Sequence, residues 1–366
     1  MSVLILGGVG FIGRHFVHYL VANNLSNDIR VVDKVLPETA LLSKKHRDAF
    51  TRVEFRQANL TRPDSIKASF DRDDGTEFDY VFNFAAETKY SQVPEVYEER
   101  IYRVAVNCGY EAARRGIKVF VVMSTAEIYD SGPTASTETS RINPWTIPAK
   151  YKFKAKQELK TIQGLNLVIL RPAIVYGTGT TMGLTPRLII GRIYKQLDEK
   201  MKLLWSKDLK LNTVHVLDVA RACWHVARWY IENAPHAELP IFNLSDKQNT
   251  DQETINGFLT QIFGIRTGYH SSFISAFTKL HLDSVIKDIN RKHLPPWAEL
   301  LQASNIQGSP LSPYLDKELL YNHDLSIDGS KIERVTGFNY VVPYLTQENL
   351  EEIIQDFQAL DVWPRN

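Results

Sequence analysis

Short apolar runs alternate with amphipathic stretches through the first half of the chain: "SVLIL", "FVHYLVANN", "IRVVD", "VEFRQANL", "FDYVFNFAA", "ERIYRVAVNCGYEAARR" and "KVFVVMS". Apolar runs rich in Val, Ile and Phe, with helical patterns between them, are what a parallel sheet covered on both faces requires. The pattern predicts a doubly wound α/β domain. "LNLVILRP" at 165–172 supplies a sixth strand and "PIFNLS" at 240–245 a late one. Between them "LTPRLIIGRIYKQL" has helical spacing, and "TVHVLDVARACWHVARWYIE" reads as a short strand feeding a long helix. From about 246 the texture changes to helices interrupted by Pro and Gly: "QETINGFLTQIF", "SFISAFTKLHLDSVIKDIN", "HLPPWAELL", "SPLSPYLD" and "QENLEEIIQDFQAL". The predicted organisation is a nucleotide-binding domain over 1–172, to which 213–246 returns. A smaller, mainly helical substrate lobe is made from 173–212 and 247–366. Phe273, Phe277, Leu280 and Ile289 fall near one helix face, and burial in that lobe's own core is expected in preference to a membrane or partner contact.

With 366 residues, 44% hydrophobic and 23% charged, the chain is long and apolar enough for a substantial core. Its formal net charge of +1 leaves no overall field to draw in nucleic acid or an anionic membrane, so partners must be argued from sites. Cys108 and Cys223, both in helical patterns, exclude a disulfide framework or a multi-cysteine metal site and suit a reducing compartment. No histidine shows metal-ligand spacing, so no metal is expected. No run approaches the ~18 apolar residues of a spanning helix, and "MSVLILGGVGFIG" turns into a glycine loop too early for a cleaved signal. A cytoplasmic location is the expectation, with organelle import left open.

Chemistry enters at "LILGGVGFIG". A strand runs into Gly7, Gly10 and Gly13, and Phe11 and Ile12 open a helix. Such glycines permit a tight turn, close approach of a pyrophosphate and hard packing of helix on strand, while the helix N-terminus offers N–H groups and positive dipole. The second strand ends in Asp33, twenty residues beyond Gly13. A carboxylate there accepts the adenosine ribose hydroxyls and repels a 2′-phosphate, which favours NAD over NADP; Lys34 beside it argues the other way.

On these residues the chain resembles the extended short-chain dehydrogenase/reductase superfamily, with its nucleotide-sugar epimerases and dehydratases, 3β-hydroxysteroid dehydrogenases and dihydroflavonol reductases. The resemblance covers roughly residues 1–246 and implies a Rossmann-type fold, an oxidoreductase or epimerase activity on a small molecule, and a homodimer through two helices of the first domain. It implies that Phe84, Ala85 and Ala86 of "FNFAA" line the cofactor, that Asn59 and Leu60 of "QANL" lie by the adenine, and that Asn107 of "AVNCG" supports the central strands. It puts Ser124 and Thr125 of "VVMSTAEIYD" at hydroxyl positions beside the substrate, and Pro172 of "LRPAIVYG" near the nicotinamide. The residue facing adenine is usually Asp in this family and is Asn59 here.

The family's tyrosine and lysine, four residues apart, are displaced in "AKYKFKAKQE". Four residues turn a helix by about 400°, so the two side chains share a face; the lysine lowers the phenol pKa and holds the ribose. Three registers remain open. Tyr151 with Lys154 keeps an acid and a lysine on one side of the helix. Lys154 with Glu158 puts Lys150 in the tyrosine's place, and Lys156 puts Lys152 there. A proton donor from elsewhere, such as Tyr90, Glu87 or Tyr129, is a further alternative. The expected catalytic set is Thr125, Ser124, Tyr151 and Lys154, set against a protein that binds NAD without turnover, as a redox sensor or scaffold. Leu211 stands where nucleotide-sugar members often carry an arginine, which turns the resemblance toward the steroid and flavonol branch. Lys207, Lys210 and Arg187 remain candidate phosphate holders, and His215 is expected to be a packed histidine.

Overall fold

The computed structural model describes residues 1–235 and 238–365. Seven strands form one wholly parallel sheet: β1 (Ser2–Leu6), β2 (Asp28–Asp33), β3 (Glu54–Gln57), β4 (Tyr80–Asn83), β5 (Val119–Met123), β6 (Leu167–Pro172) and the late strand (Ile241–Leu244), here β10. The order is β10-β6-β5-β4-β1-β2-β3. Three short pieces lie between and after: β7 (Ile174–Tyr176) pairs with β9 (Thr213–His215), and β8 (Met201–Leu203) with β11 (Thr267–Tyr269).

The strands read as continuous apolar runs because both faces are covered, and alternate residues enter opposite cores. Val3 and Ile5 join Phe16, Phe82, Val121 and Trp224 on one side of the sheet. Leu4 and Leu6 join Phe70, Val81, Phe120 and Ile169 on the other. A third core, built on Leu188, Ile193, Leu259, Trp297, Leu350 and Phe357, holds the C-terminal helices together. The strand order reverses at β1, between β4 and β2, and parallel sheets open a crevice at the carboxyl ends of strands at such a reversal. Hydrogen bonds from the Gly7 N–H to Val32 O at 2.8 Å and from the Phe84 N–H to Leu6 O at 2.8 Å bring the first residues beyond β1 and β4 to that crevice.

Two expectations for the C-terminal half are corrected. The stretch 272–303 forms two helices, Ser272–Leu280 and Leu282–Ala303, the second carrying Pro295 and Pro296 within it. Phe273 is 82% exposed and Leu280 80%, with Phe277 also exposed, so these three are not buried in their own lobe, while Ile289 is half-buried against its core. The turn at His281 is the reason: the first helix buries only Thr278 among its described side chains, whereas the second sends Ile286, Trp297 and Leu300 inward. The segment "SPLSPYLD" is irregular rather than helical, as its prolines at 310 and 313 favour. Among the described residues no helix is long and apolar enough to cross a membrane.

Candidate active site

A cleft of about 1070 Å³ opens above β1 and β4. Its sheet-side wall holds Gly7, Gly10, Phe11, Ile12, Gly13, Asp33, Asn59, Leu60, Phe84, Ala85 and Ala86. The glycines are there because nothing larger fits. Gly7 has φ +78°, and a Cβ on it would stand 2.6 Å from the Ala85 nitrogen; one on Gly13 would stand 2.5 Å from Gly7 O. Gly10 caps the Phe11–Ala22 helix without a side chain, which leaves that N-terminus open to the cleft. Asp33 is buried and fixed, with Oδ2 accepting the Val9 N–H at 3.0 Å and Oδ1 the Val35 N–H at 3.1 Å. Each oxygen retains a lone pair for a ribose hydroxyl. Arg14 donates to Leu41 O at 2.7 Å and lines the same wall. The wall therefore fits a dinucleotide with a diol at its adenosine end.

Two of the expected cofactor positions stand off the cleft. Asn107 sits half-buried on the Val104–Arg114 helix, while Val104, one turn earlier, is the residue that lines the cleft. Pro172 ends β6 paired with Leu244, and the cleft begins at the next residue, Ala173.

The Ile147–Leu159 helix settles the register of "AKYKFKAKQE". Lys152 is the lysine that enters the cleft, and its Nζ donates to Met123 O and Ser124 O, both at 3.1 Å. With Lys152 facing in, each helical step of about 100° carries Tyr151 and Lys154 elsewhere. Tyr151 stacks on Tyr97 with centroids 6.0 Å apart, and Lys154 pairs with Glu98 at 2.7 Å over the Tyr102 ring. The Tyr151/Lys154 pair is thus corrected: packing against the Pro94–Tyr97 turn and the helical segment Glu98–Arg103 takes both out of the site. Four residues before Lys152, on the cleft face, stands Pro148, so no phenol occupies that position. Lys156, four residues after, borders a small adjoining pocket with Ser124 and Ala155. Ser124 is buried there, and of the two hydroxyl residues Thr125 reaches the main cleft.

Around Lys152 lies a set of groups that the spacing of motifs did not single out. Glu127, two residues beyond Thr125, accepts the Thr146 hydroxyl at 2.7 Å and the Tyr90 hydroxyl at 3.4 Å. Thr146 is also the N-cap of the Lys152 helix, taking the Ala149 N–H at 3.3 Å. The cap that starts the helix therefore also orients the acid. Burial pushes the Glu127 carboxyl up and lowers the Lys152 ammonium to about 8, against which the nearby Glu127 charge acts. Burial and the Glu127 carboxylate raise the Tyr90 phenol far above its ordinary range, making it a poor acid. The Trp145 ring lines the cleft and stacks on His323 at 4.7 Å, while its indole N–H is buried without a hydrogen-bond partner among the described residues.

The remaining candidates have other duties. Glu87 pairs with Arg100 at 3.0 Å. Tyr129 is fully buried, donating to Asn243 Oδ1 at 2.7 Å and accepting from Arg171 at 2.6 Å. His215 caps a helix by accepting the Leu217 N–H, and burial lowers it to about 4. Lys210 pairs with Asp251 at 3.3 Å. Among the described residues no His, Cys, Asp and Glu cluster could hold a metal ion.

Comparison with known proteins follows the same lines. Residues 3–244 match the NAD dependent epimerase/dehydratase family. The decarboxylating sterol-4-alpha-carboxylate 3-dehydrogenase of Saccharomyces cerevisiae is 25% identical over 59% of this chain, a match that spans 64% of the yeast enzyme's length. A dTDP-4-dehydro-6-deoxy-D-allose reductase of a Streptomyces species is 24% identical over 60% of this chain and 71% of its own. The UDP-glucose 4-epimerase of Thermus thermophilus, solved with NAD, superposes with a TM-score of 0.67 at 19% identity, over 98% of this chain and 99% of that one, a likeness of fold. With residues 3–244 matched, more than half its length, the chain belongs to the NAD dependent epimerase/dehydratase family.

Proposed function

We propose that the protein is an NAD-dependent oxidoreductase or epimerase that moves a hydride at a carbinol or carbonyl carbon, with Lys152 in place of the missing phenol as the proton-transfer group. The observation that carries this reading is the Lys152 amine, held in the cleft beside Thr125 and Glu127 with its proton affinity lowered into the working range. Gly7, Gly10, Gly13, Asp33, Asn59 and Phe84 to Ala86 would hold NAD, whose nicotinamide supplies the hydride chemistry when bound. Thr125 Oγ already accepts the Glu127 N–H at 3.2 Å, which leaves its own proton to donate to a substrate oxygen. In alcohol oxidation the hydroxyl proton passes to neutral Lys152; in reduction Lys152 returns it. The yeast and Streptomyces relatives are named a 3-dehydrogenase and a reductase, and both names fit redox chemistry at such a carbon.

One observation favours a second reading, a protein that binds NAD without turnover. Lys152 already donates two hydrogen bonds to carbonyls, a structural role that would occupy it permanently. NAD-loaded protein offered secondary alcohols, among them a 3-hydroxysteroid and a UDP-sugar, separates the two by its NADH absorbance. The catalytic reading expects an oxidation rate that climbs as pH passes through about 8, and a drop of about 10²-fold or more in kcat for Lys152→Met with NAD affinity retained. Activity in Lys152→Met with the same pH profile would remove Lys152 from the chemistry.

A further inference from the structure

The far walls of the cleft are apolar. Leu204, Trp205, Leu209 and Leu211 line it from the segment after β8, and Leu315, Leu319 and Leu320 from the chain near the C-terminal helices. Trp205 is locked there by its indole N–H, which donates to Leu320 O at 3.0 Å. Within this setting stands one guanidinium, that of Arg187. Its side chain is half-buried, and the surface it retains is in the lining of the cleft. No carboxylate pairs with it among the described residues; its hydrogen bond is a long one, 3.4 Å, to Gln252 Oε1. Gln252 is itself fixed, donating to Leu204 O and Ser206 O at 2.9 Å, so Arg187 is aimed rather than adrift.

The local backbone has the same sign. Arg187 lies in the first turn of the Thr185–Leu197 helix, which has no acidic residue in that turn and no side-chain cap. Gly183, Leu184 and Pro186 of this turn also face the cleft. A helix N-terminus and a guanidinium thus converge on one volume, and the acid of the facing wall, Glu318, accepts the Ile147 N–H at 2.6 Å and forms no ion pair with Arg187 among the described residues. A cation drawn partly out of water loses hydration unless something pairs with it, and a fork of five donors matches a planar or tetrahedral oxyanion.

We propose that Arg187 receives a single anionic group, a carboxylate or a phosphate monoester, of a substrate whose body is apolar and lies along Leu204, Trp205, Leu209 and Leu320. This rests on the reading of the cleft as a substrate site beside NAD. Burial also lowers the proton affinity of Arg187, and an arriving anion would restore it.

The test uses full-length protein saturated with NAD and calorimetric titration with decanoate, decyl phosphate, decanol and UDP. The expected result is that decanoate or decyl phosphate binds at least about 10-fold more tightly than decanol, the tighter of the two identifying the anion. Arg187→Met should erase that preference and Arg187→Lys should keep part of it, both with unchanged NAD affinity. Equal affinities for decanol and its anionic counterparts overturn the proposal, as does a preference that survives in Arg187→Met. UDP binding more tightly than every alkyl probe overturns the apolar body. The preceding NAD titration separates the two levels: absence of NAD binding removes the enzyme reading, whereas intact NAD binding with no anion preference removes the Arg187 site alone.

Discussion

Asp33 does two jobs with one carboxylate. It holds the loops after β1 and β2 by accepting the Val9 and Val35 N–H groups, and on the proposed reading its remaining lone pairs would meet the ribose. Hydrogen bonds to a charged acceptor contribute about 1.5–3 kcal/mol each, so Asp33→Ala is expected to weaken NAD binding by about 10- to 100-fold. The same substitution should narrow the preference over NADP, because Arg14 and Lys34 line the cleft beside the vacated position. Titration of wild type and variant with both dinucleotides measures this; an unchanged ratio of NAD to NADP affinity would show that Asp33 is not what discriminates. These residues were legible in the sequence because glycine spacing, helix start and strand-end acid are all local signals. Trp145 was not, and Lys152 and Arg187 stood only among alternatives, the one as an occupant of the tyrosine's place and the other as a phosphate holder, because nothing local says which helix face meets the cleft. Tyr151 could be exchanged for Lys152 only by knowing that Tyr97 waits on the other side. Counting back four residues from Lys152, and not only from Lys154 and Lys156, leads to Pro148. Glu127 stood two residues past Thr125, in a segment read only for its hydroxyls.

At the scale of elements, strands were easier to read than helix surfaces. Period-2 burial on two faces leaves an unbroken apolar run, whereas the apolar face of Ser272–Leu280 looks the same in sequence whether a lobe covers it or not. The contact between the Phe11–Ala22 and Lys44–Phe50 helices carries a testable electrostatic consequence. The His15 and His46 rings meet edge to face at 4.5 Å, His15 Nε2 lies 2.9 Å from Thr178 O, and His46 Nε2 has no partner. Burial first, then the nearby Lys45 and Arg14 charges, depress His15 to about 3 and His46 to about 2. With the folded values below the ordinary 6.5, the unfolded chain takes up protons first as pH falls. The stabilisation is complete above 6.5 and disappears as pH drops from there toward the folded values. At pH 5 each ring should have lost roughly 2 kcal/mol. Asp356, raised by burial near the same cations, acts in the opposite direction and is a single group against two. His46→Phe keeps an aromatic ring and removes one of the titrations, so its melting temperature should fall less than that of wild type between pH 7 and pH 5. Parallel slopes would assign the acid sensitivity to other groups.

For the whole molecule, the question is whether sheet and C-terminal lobe melt together. Two buried polar side chains, Asp218 and Asn243, stitch them, and a third, Asn212, ties the two segments of the lobe to each other. Asp218 accepts the Val341 and Val342 N–H groups at 2.9 and 2.8 Å, and Asn212 takes the Ile327 N–H at 2.8 Å while donating to Thr250 O. Asn243, in β10, donates to Ser136 O and Asp328 O. All three are at most 1% exposed, so opening the lobe would strand hydrogen-bonding groups that water does not reach. β10 also enters the sheet only after the chain has passed through 173–212, which ties strand pairing to lobe geometry. One cooperative transition is therefore expected, and NAD, although held mainly by the sheet side of the cleft, should shift all of it. At 100 times its dissociation constant a ligand adds about 2.7 kcal/mol to the folded state. With an unfolding entropy of about 2.1 cal/mol/K per residue, that corresponds to a rise of roughly 3–4 °C for a chain of this length. Scanning calorimetry with and without NAD reads both quantities. Two resolved transitions, of which NAD moves only one, would mean that Asn243 and Asp218 do not couple the halves, and that the apolar walls around Arg187 can open while the dinucleotide stays bound.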